Sequence, residues 1–147
     1  MTEKIINERR RQRYMQKLAE LDDRIYFIKR NLGGEDEFLR NRILRKAMYK
    51  EFQELVEIMS DLSAMIVKDN NSIVQDDYSN LDSISRILNL DENLVIDLKM
   101  ATGLRNVLVH EYNGIIDKQA YESIDTILPS IESFKNKLRE WLENEFQ

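Results

Sequence analysis

Apolar residues three and four positions apart run through most of this chain, and few folds can satisfy so long a pattern. Tyr14, Leu18, Leu21, Ile25, Ile28 and Leu32 keep the spacing first. Met48, Phe52, Leu55, Met59, Leu62 and Ile66 repeat it, and Ile124, Ile127, Ile131, Phe134, Leu138 and Trp141 repeat it again. At about 100° per residue, such positions form one stripe along a helix, which must be buried against other helices. Punctuation is sparse, with 4 Gly and 1 Pro in 147 residues. The pattern therefore predicts an all-α chain, an antiparallel four-helix-type bundle with an additional short helix, folded as a single domain over 1–147.

In order, the first helix is predicted over residues 4–31, stopped by Gly33-Gly34, where glycine readily takes a left-handed C-cap. The second runs from about Asp36 to Lys68 and ends at Asp69-Asn70-Asn71-Ser72. A short helix over Leu81–Leu88 follows, capped by Ser79 or Asn80, with Tyr78 before it as a packing residue whose hydroxyl faces the surface. The next begins at Asn89 or Asp91, turns Leu94, Leu98, Ala101 and Leu104 inward, and ends at Asn113-Gly114. The last spans Asp117, as N-cap, to about Glu145. Pro129 lacks a backbone donor and is expected to kink or split it.

Charge narrows the function. The net is −5, but residues 1–50 carry 14 Lys/Arg against 8 Asp/Glu, a basic first third on an acidic remainder. The basic arm at 1–13 includes Glu8-Arg9-Arg10-Arg11-Gln12-Arg13, either a solvated helical face or a contact for phosphate or a partner. Arg40, Arg42, Arg45 and Lys46 form a second cluster. Arg42, Arg45 and Lys46 share a face, suited to solvent or to RNA backbone. With no Cys and one His, disulfides and a conventional zinc site are excluded, and no metal or cofactor is expected. No apolar run approaches the roughly 18 residues of a membrane span, and the N-terminus is charged, so a cytoplasmic protein without a membrane partner is expected.

One stretch breaks the packing pattern. Gly103-Leu104-Arg105-Asn106-Val107-Leu108-Val109-His110-Glu111-Tyr112 places strong donors and the single titratable ring inside an apolar helical segment. Taking Arg105 as zero, Tyr112 lies about 20° away around a helix, Asn106 about 100° and His110 about 140°. Arg105 and His110 of one straight helix therefore diverge. They would converge if the helix loosened near His110, or if two copies met across a two-fold axis. A guanidinium matches phosphate oxygens with a fork of donors. An imidazole, with a reference pKa of ~6.5, takes or gives a proton near neutrality. The pair suffices for metal-free cleavage of RNA, which supplies its own 2′-hydroxyl nucleophile. From spacing alone a plainer assignment comes first. His110 would then cap the helix C-terminus and Arg105 would make a structural ion pair.

The same ten residues, with the order of helices around them, resemble the Arg-x4-His-x-Tyr signature of the HepT-like branch of the HEPN superfamily. That resemblance implies a homodimeric bundle with its motifs face to face, acting as a metal-independent endoribonuclease on RNA, tRNA among the candidates. It implies a toxin of a two-component, type VII-like toxin–antitoxin system, whose antitoxin resembles a minimal nucleotidyltransferase of the MntA type. By position, Arg105 and His110 become catalytic and Asn106 a helper. Tyr112 becomes the site to which the antitoxin transfers AMP, adding bulk and negative charge beside Arg105. Two other roles compete: a non-catalytic helical partner of such a nucleotidyltransferase, and a structural helical dimer with no site at all.

Overall fold

The computed structural model describes residues 7–110 and 115–145. Those residues form helices α1 (Glu8–Asn31), α2 (Glu35–Arg40), α3 (Arg42–Asp69), α4 (Asp77–Ile87), α5 (Glu92–His110) and α6 (Asp117–Glu145), with no strand among them. The four long helices close a ring in which α1 packs on α3, α3 on α5, α5 on α6, and α6 on α1. Ion pairs fix the directions. Along α1, Arg10, Lys17 and Arg24 pair in turn with Asp69, Asp61 and Glu51, so α3 descends as α1 rises. Asp22 meets Lys135, and Lys29 meets Glu132, so α6 also runs antiparallel to α1. The expected all-α bundle is thus present, with two short helices, α2 and α4, where one was expected.

Each stripe of the sequence is the core. Tyr14, Leu18, Leu21 and Ile28 of α1, Phe52, Leu55, Met59, Leu62 and Ile66 of α3, and Ile124, Ile131, Phe134 and Leu138 of α6 are fully buried. Burying each such side chain is worth about 1.5–3 kcal/mol, which is why the stripes decide the architecture. Trp141 is only partly buried and stacks edge-on against Tyr14, ring centroids 5.7 Å apart.

The boundaries show what spacing alone did not settle. The first helix starts at Glu8 rather than residue 4. Extended Asn7 caps it, accepting from the Arg10 amide at 2.9 Å, and residues 1–6 lie outside those described. Leu32 and Gly33 end it, with Gly33 at φ +62°, the left-handed value foreseen. The helix expected over 36–68 is broken at Asn41, whose backbone is extended and whose side chain accepts from the Leu44 amide at 3.0 Å. The break lets α2 turn Phe38 into the core, 5.7 Å from the Tyr49 ring and 5.2 Å from that of Tyr121. It also removes Arg40 from the helix carrying Arg42, Arg45 and Lys46.

The short helix begins at Asp77, four residues earlier than expected. Its cap is Asp76, accepting from the Ser79 amide at 2.9 Å, rather than Ser79 or Asn80. Asn80 is instead buried and clamps Gln75, bonding both its amide and its carbonyl. Asn89, a candidate N-cap for α5, ends α4 in the left-handed region at φ +54° while the Leu90 amide reaches back to the Ser85 carbonyl. The Asp91 carbonyl accepts the first bond of α5, from Val95. The end of α5 expected at Asn113-Gly114 lies outside the described residues.

Asp117 is the first residue of α6 rather than its cap, and its carboxylate accepts from the Tyr49 hydroxyl. Of the two outcomes expected at Pro129, splitting does not occur: α6 is one helix of 29 residues. Pro129 and Asp125, whose carbonyl loses a donor, are both exposed, while Ile127, Leu128 and Ile131 anchor the helix on either side. No described helix is long and apolar enough to cross a membrane.

Candidate active site

Helix α5 is apolar on two sides. Val95, Leu98, Ala101, Thr102 and Leu108 are buried, whereas Leu94 and Leu104, also expected inward, are only partly so. On the opposite side Ile96, Met100 and Val107 are exposed, and Gly103 completes their four-three-four spacing. Three residues beyond Val107, the exposed His110 closes α5 at the end of that stripe. Sequence reasoning counted only the inward set; the second run of 96, 100, 103 and 107 was the available signal.

Arg105 lies among the buried positions, about 180° around the helix from Ile96. Its Nη2 donates to Asp77 Oδ2 at 2.7 Å, with the side chain 18% exposed. Its Nε is buried and has no hydrogen-bond partner among the described residues. Asn106 is half-buried beside it. Thus one helix carries Arg105, Asn106 and His110, but it turns the guanidinium toward α4 and the imidazole toward the outer stripe, as the angles predicted. The ion pair to Asp77 is the structural partner foreseen for Arg105 in the plainer assignment. Tyr112 lies outside the described residues.

The basic cluster of α3 stands next to the end of this helix. Arg42, Arg45, Lys46, Tyr49, Lys50 and Gln53 line an open pocket of about 480 Å3, closed on its far side by Leu108, Ile115 and Asp117. Lys50, one turn beyond Lys46, was missed, although its i+4 spacing put it on the same face. Arg45 is largely committed: it donates to the Phe38 carbonyl at 3.1 Å and lies 3.5 Å from Asp117. Arg42 and Lys46 are exposed and have no ion-pair partner among the described residues. Arg40 stands apart, its Nε on the Asp36 carbonyl. Burial, then the bond to Asp117, raises the Tyr49 hydroxyl above the ordinary tyrosine value, so it stays a donor.

In the N-terminal arm, Arg10 is structural. Its Nε donates to Asp69 at 2.8 Å, and the Tyr14 hydroxyl donates to the same oxygen at 2.6 Å. Arg9 and Arg13 line a shallow surface groove with Gln12 and Gln16. Among the described residues no group of three or more His, Asp or Glu is placed to hold a metal ion.

The chain as a whole is similar to known proteins. The family described as Ribonuclease HepT-like matches residues 12–138. A protein of Archaeoglobus fulgidus named "Putative RNase" is 31% identical over 134 residues, covering 91% of this chain and 96% of its own. A second of the same name from that organism is 30% identical over 106 residues, covering 72% and 76%. Among solved structures, a chain of a toxin-antitoxin crystal structure with AMP-PNP superposes with a TM-score of 0.79 at 20% identity. That match covers 86% of this chain and 97% of that one, and so shows a shared fold. With the family matching nearly the whole helical bundle, motif helix included, this chain belongs to the HepT-like family of the HEPN superfamily.

Proposed function

We propose that this chain is a metal-independent endoribonuclease, the toxin of a toxin–antitoxin pair, and that it works as a homodimer. The observation that carries this is the placement of Arg105, Asn106 and His110 on one helix whose outer side is apolar and whose end adjoins a basic pocket. In this mechanism the His110 imidazole takes the proton of a 2′-hydroxyl. The freed oxygen attacks phosphorus, the 5′-oxygen departs and is protonated, and Arg105 stabilises the charge building on the phosphate. The products would be a 2′,3′-cyclic phosphate and a 5′-hydroxyl end.

Arg105 and His110 diverge by about 140° on one straight helix, and the proposal brings such groups together with a second copy. The stripe of Ile96, Met100, Gly103 and Val107, which ends near His110, supports pairing, since a second copy would bury it. Arg105 faces the other side of α5, so the two motifs would meet around the end of the helix. Arg42 and Lys46, with Lys50, would hold RNA backbone in the pocket beside it. The regulatory part of the proposal is that a nucleotidyltransferase antitoxin of the MntA type transfers AMP to Tyr112. It draws support from solved structures of similar fold that are toxin-antitoxin assemblies, one with AMP-PNP and one, MntA-HpeT, a tyrosine-to-alanine mutant.

The test is direct. Purified protein should cut RNA in EDTA, leaving cyclic phosphate ends, and Arg105→Ala or His110→Ala should each abolish cutting with the helical fold intact. Cleavage that persists in both variants would defeat the assignment. A second possibility, a non-catalytic partner of a nucleotidyltransferase, is favoured by the Arg105–Asp77 ion pair and the net charge of −5. It expects no cleavage, yet still expects label from ATP on the wild type and none on Tyr112→Phe when the antitoxin is added.

A further inference from the structure

We infer that Asp77 is the positioning residue for Arg105, setting the plane in which its guanidinium meets the scissile phosphate; this rests on the ribonuclease assignment above. The two residues are 28 positions apart in sequence, and the fold brings Asp77 Oδ2 to 2.7 Å from Arg105 Nη2. An arginine side chain rotates freely about several bonds, so a single fixed acceptor has a large effect on where its remaining donors point. Asp77 is itself well held. It sits in the first turn of α4, directly after the Asp76 cap, and the Asn80–Gln75 clamp fixes the chain entering that helix. A second ion pair, Lys99 to Asp82 at 2.7 Å, ties α4 to α5 about two turns away.

The contact leaves Arg105 incompletely satisfied. A carboxylate can engage an arginine through two parallel bonds, using Nε and Nη2 together. Here only Nη2 is engaged, while Nε is withdrawn from solvent without a partner among the described residues. A buried donor without an acceptor is unfavourable, so the Asp77 bond is what the guanidinium gains for its burial. Asp77 thus holds Nη2 and leaves Nη1, which is neither buried nor bonded among the described residues, for substrate. It also places a negative charge near the incoming phosphate, so its contribution lies in orientation rather than attraction. That combination has a signature: removing Asp77 should lower kcat while leaving KM unchanged or lower.

The experiment compares Asp77→Ala, Asp77→Asn and Lys99→Ala in the full chain, with steady-state cleavage of a short RNA and NMR of the Arg105 Nε–Hε group, assigned through Arg105→Lys. Asp77→Ala should reduce kcat on the order of 10- to 100-fold without raising KM, and should speed guanidinium rotation to that of exposed arginines. Asp77→Asn, which keeps an acceptor oxygen, should fall between it and wild type. Lys99→Ala, which loosens α4 without touching Arg105, should leave kcat near wild type. A rise in activity on removing Asp77 would overturn the inference and make the ion pair a competitor of phosphate. So would an equal loss in Lys99→Ala, or an Arg105 resonance indifferent to Asp77. A wild-type chain that cleaves nothing would sink the ribonuclease assignment instead, and the resonance would then decide the positioning by itself.

Discussion

The hydroxyl of Tyr49 in α3 donates to Oδ1 of Asp117, the first residue of α6, across 68 positions of sequence. The bond fastens the start of α6 to the basic face of α3. It also sets a carboxylate inside a pocket otherwise lined by Arg42, Arg45, Lys46 and Lys50, with Asp117 Oδ2 3.5 Å from Arg45 Nε. The charge available to a phosphate backbone there is smaller than the count of basic residues suggests.

Asp117→Asn should therefore strengthen RNA binding. Asparagine keeps an acceptor for Tyr49 but no longer neutralises Arg45. In a His110→Ala background, to prevent cleavage, affinity for single-stranded RNA should rise a few-fold. The slope of log affinity against log salt should steepen by about 0.7, the value for one added phosphate contact. Titrations at low and high salt check this; unchanged affinity and slope would place the RNA elsewhere.

Gly103→Ala should separate the folding of one chain from the pairing of two. A Cβ at Gly103 would lie 3.6 Å from the Tyr78 hydroxyl, an ordinary contact. Replacing a mid-helix glycine by alanine gains about 1 kcal/mol. Within one chain the variant should thus be at least as stable as wild type. On the stripe it shares with the exposed Ile96, Met100 and Val107, however, the methyl group of the partly buried position 103 would hold two α5 helices apart. Light scattering at micromolar concentration should show more monomer, with cleavage reduced in step. A dimer of undiminished affinity would move the proposed interface to another face.

Asp22→Asn should destabilise the fold in a pH-dependent way. Burial alone would raise the Asp22 carboxyl, but bonds from Lys135 and Arg139 outweigh it and hold it below its usual 3.8. A folded-state value below the unfolded one means stability that is present above 3.8 and lost as pH falls through the lower, folded value. The carboxylate is 37% exposed, so solvent screening limits the effect to about 1 kcal/mol. Thermal melts at pH 7 should differ by roughly 2–4 °C. The gap should narrow in acid and close once Asp22 is protonated in the folded state. A gap that persists there would mean Asp22 acts through packing.

Pro129→Ala should stabilise α6. Alanine restores a donor for the Asp125 carbonyl, and an interior proline costs about 3 kcal/mol relative to alanine. The looser unfolded chain offsets about 1 kcal/mol of that. A net gain of about 2 kcal/mol should raise the melting midpoint by roughly 4–8 °C. A lower midpoint would mean that the bundle depends on the local geometry proline imposes.

The architecture was legible in the chain itself because burial of a helical stripe is a periodic property. Tyr14 to Leu32, Met48 to Ile66 and Ile124 to Leu138 could serve no fold in which those faces stayed wet. The motif was legible for the opposite reason, since Arg105, Asn106 and His110 interrupt such a stripe. Three features had to wait for the tertiary structure. Asn41 is acceptable within a helix or before one, and only the pull of Phe38 toward Tyr49 and Tyr121 makes it a break. Helix α5 has two apolar faces of equal standing in sequence, and only the packing of α3, α4 and α6 decides which is buried. Arg105 finds its carboxylate 28 residues away, on a helix whose position follows from the core. Spacing along the chain reports which residues share a face. What stands opposite that face is set by how the helices close on one another.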